Sequence, residues 1–327
     1  MGRNIIADCG IKEVRSSEFG VRSMKRFLVF FLFSFFCVTG DRAQAAPFTD
    51  EIGRQVEVKA PPQRIISVAP SVTEILFALG LGEKVVGVSS YCNYPPEALK
   101  KEKVGGYITP SMEKIIALRP DLVIQTADGD LKTFVTRLAG LGIPVYIANP
   151  KTIPQVMISI LKIGDVTFSK QSAQKLVAAM KEKAQAIKER IHGKPRPRTL
   201  PVMAYDPLIS SGKGTFVDDL IRLAGGVNCA EKAKGKHPQL SLEEVIAQDP
   251  QVIILSSMKS NDPLAEQRQW WSRWPKISAV RSGRIYVIDA DLIHRPSPRI
   301  VDGLEAMAKA MHPEVFKTGP RGQENKE

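Results

Sequence analysis

The same phrase occurs twice in this chain. The stretch SMEKIIALRPDLVI occupies residues 111–124, and SLEEVIAQDPQVII occupies residues 241–254. Each copy predicts a helix that a proline ends and a short buried strand after it, because the residue before a proline disfavours the helical conformation. A repeat of this kind at two distant places predicts two lobes of similar fold. Residues that are identical in the two copies are Ser111/Ser241, Glu113/Glu243, Ile116/Ile246, Ala117/Ala247, Pro120/Pro250 and Ile124/Ile254.

The segments around the repeat alternate between strand-like and helix-like patterns. An alternating series of this kind predicts a mostly parallel sheet covered by helices on both faces. The stretch 169–193, rich in Ala, Lys, Glu and Gln, predicts one long helix between two such series. We therefore expect an α/β fold with an N-terminal lobe at 46–165, a connecting long helix at 166–193 and a C-terminal lobe at 194–327. A ligand cleft is expected between the lobes.

The N-terminal region predicts export. Two basic residues at 25–26 precede an apolar run at 27–38, and AQA at 43–45 has the pattern of a cleavage site. We expect a cleavable signal peptide at 24–45, with residues 1–23 upstream of the true start, and a periplasmic mature protein. A membrane anchor is the less favoured alternative, because the run is short for a bilayer. The formal charge of the chain is +12, but export removes nucleic acid from the expected partners.

Two cysteines, Cys92 and Cys229, belong to the predicted mature chain. An oxidising compartment permits a disulfide between them. Their positions in different predicted lobes leave the distance between them undetermined. Both the paired and the unpaired state are open from the sequence.

Loops that follow the predicted strands supply the candidate ligand site. In parallel sheets, the loops at the carboxyl ends of the strands face the crevice where ligands bind. Aromatic and imidazole side chains in these loops suit a large, flat, partly apolar ligand, and the alternative is that they pack their own loops. The candidate residues in these loops are Ser71, Tyr91, Tyr107, Thr126, Tyr205, Ile209, His237, His294 and Arg295.

Several stretches of the chain resemble one family. They are RIISVAPSVTEILFALGLGEKVVGVSSYCNYPPEA at 64–98, both copies of the repeat, GRIYVID at 283–289 and RPSPRIVDGLE at 295–305. These stretches look like the helical-backbone (class III) periplasmic binding proteins, which deliver cobalamin, haem or ferric siderophores to ABC importers. VGVSSYCNYPPEA and RPSPRI look most like the cobalamin-binding members. The resemblance implies a binding protein that is not an enzyme and has no cofactor. Its implied ligand is cobalamin or a related corrinoid, with haem or a ferric siderophore as the alternative.

Carried over by position, the resemblance also implies that Tyr91, Tyr107, His237 and Arg295 line the cleft. The chain departs from the tryptophan-rich pattern of the cobalamin-binding members, since Tyr107, Thr126 and His237 stand where tryptophan is expected. Tyrosine and histidine are common axial ligands of haem iron. If the ligand is haem, the candidates for that role are Tyr107, His237 and His294.

Glu113 and Glu243 have two interpretations. Each falls in the first turn of a predicted helix, where a carboxylate gains about 0.3–1 kcal/mol from the helix dipole. The resemblance implies instead that one glutamate on each lobe contacts arginines of an ABC permease dimer, which works with its ATPase subunits. We favour docking, because a two-fold permease needs two matching charges. Glu244 is assigned to a capping box with Ser241.

Other classes of function have weaker support in the sequence. The stretch SSGKGTF at 210–216 departs from the phosphate-loop pattern, because Pro207 occupies the place of the first glycine and Gly214 that of the Ser or Thr. A two-lobed chelatase-like enzyme would need a general base and normally no export signal, and a binding module for a sensor would share the cleft. We expect a monomer whose stiff connecting helix permits only modest closure on the ligand.

Overall fold

The computed structural model describes residues 47–256 and 264–316. The predicted signal peptide at 24–45 and the upstream segment 1–23 lie outside the described residues. Among the residues described, no helix is long and apolar enough to cross a membrane.

A parallel sheet organises the N-terminal lobe. The strands of this part of the chain are β1 (Phe48–Thr49), β2 (Gln55–Val56), β3 (Ile65–Ser67), β4 (Val85–Val88), β5 (Glu102–Lys103), β6 (Leu122–Thr126) and β7 (Val145–Ala148). The order across the sheet is β5–β4–β3–β6–β7, and each neighbouring pair is parallel. β1 and β2 form a separate antiparallel pair.

A second sheet organises the C-terminal lobe. Its strands are β8 (Arg198–Tyr205), β9 (Leu208–Ser210), β10 (Val227–Asn228), β11 (Val252–Leu255) and β12 (Ile285–Val287). The order is β10–β8–β11–β12 in parallel, and β9 pairs with β8 antiparallel. In the N-terminal sheet, β3 lies between β4 and the repeat strand β6, and β7 lies outside β6. In the C-terminal sheet, β8 lies in the same way between β10 and the repeat strand β11, and β12 lies outside β11. The prediction of two similar, mostly parallel α/β lobes is therefore confirmed.

Helices lie between the strands in both lobes, and several of them begin at a capping side chain. They are α1 (Pro70–Ala78), α2 (Met112–Ala117), α3 (Leu131–Gly140), α4 (Ile153–Val166), α5 (Lys170–Arg190), α6 (Phe216–Leu223), α7 (Leu242–Gln248), α8 (Leu264–Ser272), α9 (Ser278–Arg281), α10 (Ala290–Ile293), α11 (Ile300–Met311) and α12 (Pro313–Phe316). Short 3-10 helices occupy Gly82–Lys84 and Pro96–Lys100. Side chains that cap helix N-termini by accepting a backbone N–H are Ser111, Asp130, Thr152, Thr215, Ser241 and Asp289.

The connection between the two sheets runs through α4 and α5. α5 has 21 residues and buries one stripe of side chains, Ala173, Val177, Met180 and Ile187, at helical spacing. This stripe packs on α4 and on α11. The long helix predicted between the lobes is thus present, lying alongside α4. The domain limits of 46–165, 166–193 and 194–327 remain predictions.

One apolar core joins the two lobes. Ile65 and Ile254, from the two sheets, belong to the same buried cluster as the inner faces of α4, α5 and α11. Alternate residues of the strands point to the opposite faces, where Ile66 and Ile253 belong to separate clusters that each lobe buries alone. Because the shared core spans both lobes, their relative position is stabilised by apolar packing as well as by chain connectivity.

The remaining cysteines and the tryptophans have packing roles. Cys92 and Cys229 are both free, so the unpaired alternative holds in this structure. Trp271 is fully buried in the C-terminal lobe, and Trp270 and Trp274 pack against the same cluster.

Candidate ligand cleft and paired glutamate helices

A cavity of about 440 Å³ lies between the lobes, at the carboxyl ends of β6, β7 and β8. Both lobes contribute to its wall, which is the arrangement in which open α/β sheets bind ligands. Residues lining it from the N-terminal lobe are Tyr107, Thr126, Ala127, Asp128, Ala148, Asn149, Pro150 and Lys151. Those from the C-terminal lobe are Met203, Gly214, Thr215, Phe216, Lys236, His237, His294 and Pro296.

A larger depression, of about 780 Å³, lies on the N-terminal lobe alone. Residues 54–61 and 142–145 line it, at the amino ends of the strands. Strand geometry therefore favours the interlobe cavity as the ligand site, because ligands of such sheets bind at the carboxyl ends.

Four of the residues predicted from the sequence line the interlobe cavity: Tyr107, Thr126, His237 and His294. Tyr91 stands next to them, with its ring edge-on to that of Tyr107 at a centroid distance of 5.6 Å. The Tyr91 side chain is 59% exposed. The N-terminal lobe thus presents an accessible aromatic surface beside the cavity.

Backbone contacts fix the loops that carry these side chains. The Gln125 side-chain amide donates to the backbone oxygen of Tyr107 at 2.7 Å, which ties the 105–110 turn to the end of β6. On the other lobe, the N–H of Gly212 donates to the backbone oxygen of Lys236 at 2.8 Å. A Cβ at position 212 would lie 2.7 Å from the Gly235 oxygen, so only glycine permits this close approach.

Two imidazole side chains, His237 and His294, belong to the cavity wall, and His294 is the more buried of the two. Its Nε2 lies 3.1 Å from Ser256 Oγ. Burial, together with the nearby His237, lowers the pKa of His294 to about 4. The ring is therefore neutral at neutral pH, and it offers a hydrogen-bonding group or a metal ligand without a charge.

Arg295, predicted to line the cleft, lies between two residues of the cavity wall, and its side chain reaches across the lobe interface. Its guanidinium contacts Glu74 Oε1 at 3.2 Å, Asn93 Oδ1 at 2.6 Å and Asp291 Oδ1 at 2.7 Å. Arg299 makes a two-point contact with the same glutamate, at 2.8 and 2.7 Å. Glu74 is 3% exposed. We call these five residues the interlobe ion-pair network. It joins α1 and the loop after β4 to α10 and to the residues just before α11.

Three further predicted residues lie outside the cavity wall. Ser71 is buried in the first turn of α1. Ile209, in β9, forms a bridge with Gln239. Tyr205, at the end of β8, packs against Trp270 with ring centroids 5.8 Å apart. Their contact with a ligand remains a prediction.

The cavity also contains residues that the sequence reasoning missed. Asn149 and Lys151 follow β7, Met203 lies in the last part of β8, and Lys236 precedes His237. The signal that could have found them is their position at strand ends, because the loops there converge on the crevice. Lys151 and Lys236 bring two positive charges to the cavity from opposite lobes.

Within the described residues, no group of three or more His, Cys, Asp or Glu side chains is arranged to hold a metal ion. The polar groups of the cleft are spaced around its wall instead. Polar groups spaced in this way suit the binding of an organic ligand that fills the cavity.

The paired helices α2 and α7 carry the two glutamates of the repeat. Glu113 and Glu243 are exposed, and within the described part of the chain neither makes a hydrogen bond or an ion pair. Glu244 instead completes the predicted capping box, because its carboxylate accepts a hydrogen bond from the Ser241 N–H at 2.8 Å. The carboxylates of Glu113 and Glu243 are thus free to meet a partner.

The two paired helices are held by equivalent contacts, which we call the arginine clamps. Arg64 donates to the backbone oxygens of Leu118 and Arg119, at 2.7 to 3.2 Å, just after α2 ends. Arg198 donates to the corresponding oxygens of Gln248 and Asp249, at 2.7 to 3.0 Å, at the end of α7. Each lobe therefore anchors its helix to its first parallel strand in the same way.

A family profile described as periplasmic binding protein matches residues 65–292. This span includes both sheets and the cleft. The chain belongs to the periplasmic binding protein family.

Relatives support the same assignment. A vitamin B12-binding protein of Vibrio cholerae serotype O1 is 32% identical over 245 residues, which cover 75% of this chain and 87% of that protein. An uncharacterized ABC transporter substrate-binding lipoprotein of Bacillus subtilis is 33% identical over 279 residues, covering 82% of this chain and 86% of the relative. Relatives of this periplasmic binding protein thus include one named for binding vitamin B12 and one named as a substrate-binding component of an ABC transporter.

Solved structures agree with the fold. The crystal structure of the periplasmic vitamin B12-binding protein of Vibrio cholerae aligns with a TM-score of 0.68 at 31% identity, covering 79% of this chain and 99% of the other. A periplasmic haem-binding protein from Pseudomonas aeruginosa aligns with a TM-score of 0.68 at 26% identity, covering 80% and 96%. The resemblance of this periplasmic binding protein to the class III members is confirmed.

Proposed function

We propose that this protein captures cobalamin, or a related corrinoid, in the interlobe cleft and delivers it to an ABC permease dimer and its ATPase subunits. The observation that carries the proposal is the cavity itself, whose wall combines Tyr107 of one lobe with His237 and His294 of the other. Relatives named as vitamin B12-binding proteins, aligned over most of their length, support the choice of ligand.

The wall of the cleft suits the chemistry of a corrin. A flat ring offers apolar faces to Tyr91 and Tyr107 on one side, where aromatic rings contribute large contact areas. Amide groups around a corrin need hydrogen-bonding partners, and Asn149 and Thr126 offer them at the carboxyl ends of the strands. Binding of this kind needs no resident cofactor and no catalytic group.

Delivery by a carrier requires export and docking. We propose that the signal peptide at 24–45 is cleaved and that the mature protein acts as a periplasmic monomer. Glu113 and Glu243 then contact basic residues of the two permease subunits. Their exposure and their lack of partners within the described residues support this role.

Haem is the second candidate ligand, on a specific observation. Lys151 and Lys236 reach the cavity from opposite lobes. Haem carries two propionates, which such a pair would neutralise. In that case Tyr107, His237 or His294 supplies the axial ligand.

Titration of the purified mature chain, residues 46–327, separates these ligands. We expect calorimetry to show tight, saturable binding of cyanocobalamin, weakened at least tenfold by Tyr107→Ala because an aromatic anchor typically contributes about 1.4 kcal/mol or more. Tyr286→Ala, in β12, is the matched control and should bind normally, since that tyrosine lies outside the cavity wall.

A different result points to a different ligand. A shifted haem absorption band on addition of haemin, lost in the His237→Ala or His294→Ala variant, together with no cobalamin binding, would establish the haem carrier. Binding of neither compound would favour a ferric siderophore.

A further inference from the structure

Each paired helix exposes an isoleucine at the same position. Ile116 in α2 is 40% exposed and Ile246 in α7 is 37% exposed. Their neighbours Ile115 and Val245 are 0% and 1% exposed and anchor the helices to the sheets. The exposure is therefore a property of the surface positions, not of loosely packed helices.

The isoleucines share a surface with the glutamates. Ile116 follows Glu113 by three residues, and Ile246 follows Glu243 by three. Residues three apart on a helix are neighbours on one face. One exposed isoleucine is ordinary on a soluble protein. Two at equivalent places, each beside an unpaired carboxylate, form a repeated pattern that the stability of the fold does not require.

The arginine clamps keep the two patterns alike. Because Arg64 and Arg198 bind equivalent backbone oxygens at the ends of α2 and α7, the two helices are attached to the sheets of their lobes in the same way. Each lobe thereby presents the same pair of groups, one carboxylate and one apolar side chain.

We propose that Ile116 and Ile246 are direct partner contacts which, with Glu113 and Glu243, form two matched docking surfaces. The partner that fits is a membrane protein with two-fold symmetry, each half presenting a basic side chain beside an apolar depression. Burial of the isoleucine excludes water from the neighbouring ion pair and strengthens it. The inference rests on the proposed carrier function, and it extends the contact beyond the two charges.

Photo-crosslinking in cells of the source organism tests the contact without reference to the ligand. A benzophenone amino acid is placed at 116, at 246 and, as the matched control, at 158. Ile158 lies on α4 and is 50% exposed, so it is at least as accessible. We expect crosslinks from 116 and 246 to an ABC permease subunit, identified by mass spectrometry, and none from 158. No permease crosslink from 116 and 246, or equal crosslinking from 158, overturns the proposal.

Uptake measures the contribution of the side chains. Cells carrying the Ile116→Ser and Ile246→Ser variants should take up labelled cyanocobalamin about fivefold more slowly for each change, because losing partly buried apolar area costs about 1 kcal/mol. The affinity of both variants for cyanocobalamin, measured by calorimetry, should be unchanged. Cells carrying the Ile158→Ser variant should take up cyanocobalamin at the normal rate. Normal uptake by the double variant contradicts the proposal. If the unaltered protein fails to bind cobalamin, the choice of ligand is wrong, while the crosslinks still decide the docking surface.

Discussion

At the scale of single residues, His294 links the cleft to pH. Its pKa is lowered from 6.5 to about 4 by burial and by His237. The unfolded chain therefore binds more protons than the folded protein between these values, so stability is lost as the pH falls from about 6.5 to about 4. The loss attributable to this ring is about 1–3 kcal/mol.

The His294→Gln variant should show a shallower loss of stability over the same interval. Urea unfolding at pH 7 and at pH 4.5 measures the difference. Part of the dependence should persist, because burial also lowers the pKa of His312. His192→Gln, at an exposed position, is the control and should keep the full dependence. An identical pH profile in the His294 variant would show that the ring is not held neutral by the fold.

Glu74 is the residue on which the interlobe ion-pair network depends. Replacing it with glutamine takes away the carboxylate that Arg299 contacts and leaves Arg295 paired with Asp291 alone. Because Arg299 is then partly buried without its ion-pair partner, the change should cost about 3–5 kcal/mol of unfolding free energy. Urea unfolding measures this directly. Glu57→Gln, which breaks an exposed pair with Lys59, should change stability by less than about 0.5 kcal/mol. Similar effects of the two substitutions would mean that the network is solvated and contributes little.

At the scale of elements, the arginine clamps predict matched effects in the two lobes. Arg64→Ala and Arg198→Ala each remove the bonds that fix the end of a paired helix, and each should cost about 1–3 kcal/mol. Lysine at either position should restore only part of the loss, because it lacks the planar fork of donors. Unfolding free energies and hydrogen exchange of the α2 and α7 amides measure both effects. Arg137→Ala, on the exposed face of α3, is the control, and a large effect in only one lobe would argue against equivalent clamps.

Local sequence patterns predicted most of the longer helices and strands, but they did not predict contacts between residues far apart in the chain. The helix and strand predicted for 111–124 appear as α2 and β6, and those predicted for 241–254 appear as α7 and β11, because periodicity and capping depend on neighbouring residues. β9 and the short helices α9 and α10 were missed, since tertiary contacts and not periodicity define them. The partner of Arg295 was missed for the same reason, because Glu74 lies more than two hundred positions away. Four of the residues that line the cavity were predicted from the sequence. Asn149 and Lys151 also line it and were not predicted, since polar loop residues show no periodic pattern.

At the scale of the whole molecule, three features act against a wide hinge motion. The apolar core is continuous between the lobes, α4 and α5 pack along each other, and the interlobe ion-pair network joins the lobes next to the cleft. Opening would expose apolar area at a cost of about 25 cal/mol per Å² and separate buried charges. The unliganded cleft should therefore already have nearly its liganded shape.

Small-angle scattering with and without bound ligand tests this expectation. We expect nearly superimposable profiles, because capture needs only loop and side-chain adjustments around Tyr91 and Tyr107. The Glu74→Gln variant supplies an internal comparison, since loosening the network should allow a larger difference between the two states and weaken binding through the cost of ordering the lobes. A large ligand-dependent change in the unaltered protein would show that the shared core yields on binding. Identical behaviour of the variant would assign the rigidity to the core and the helix pair alone.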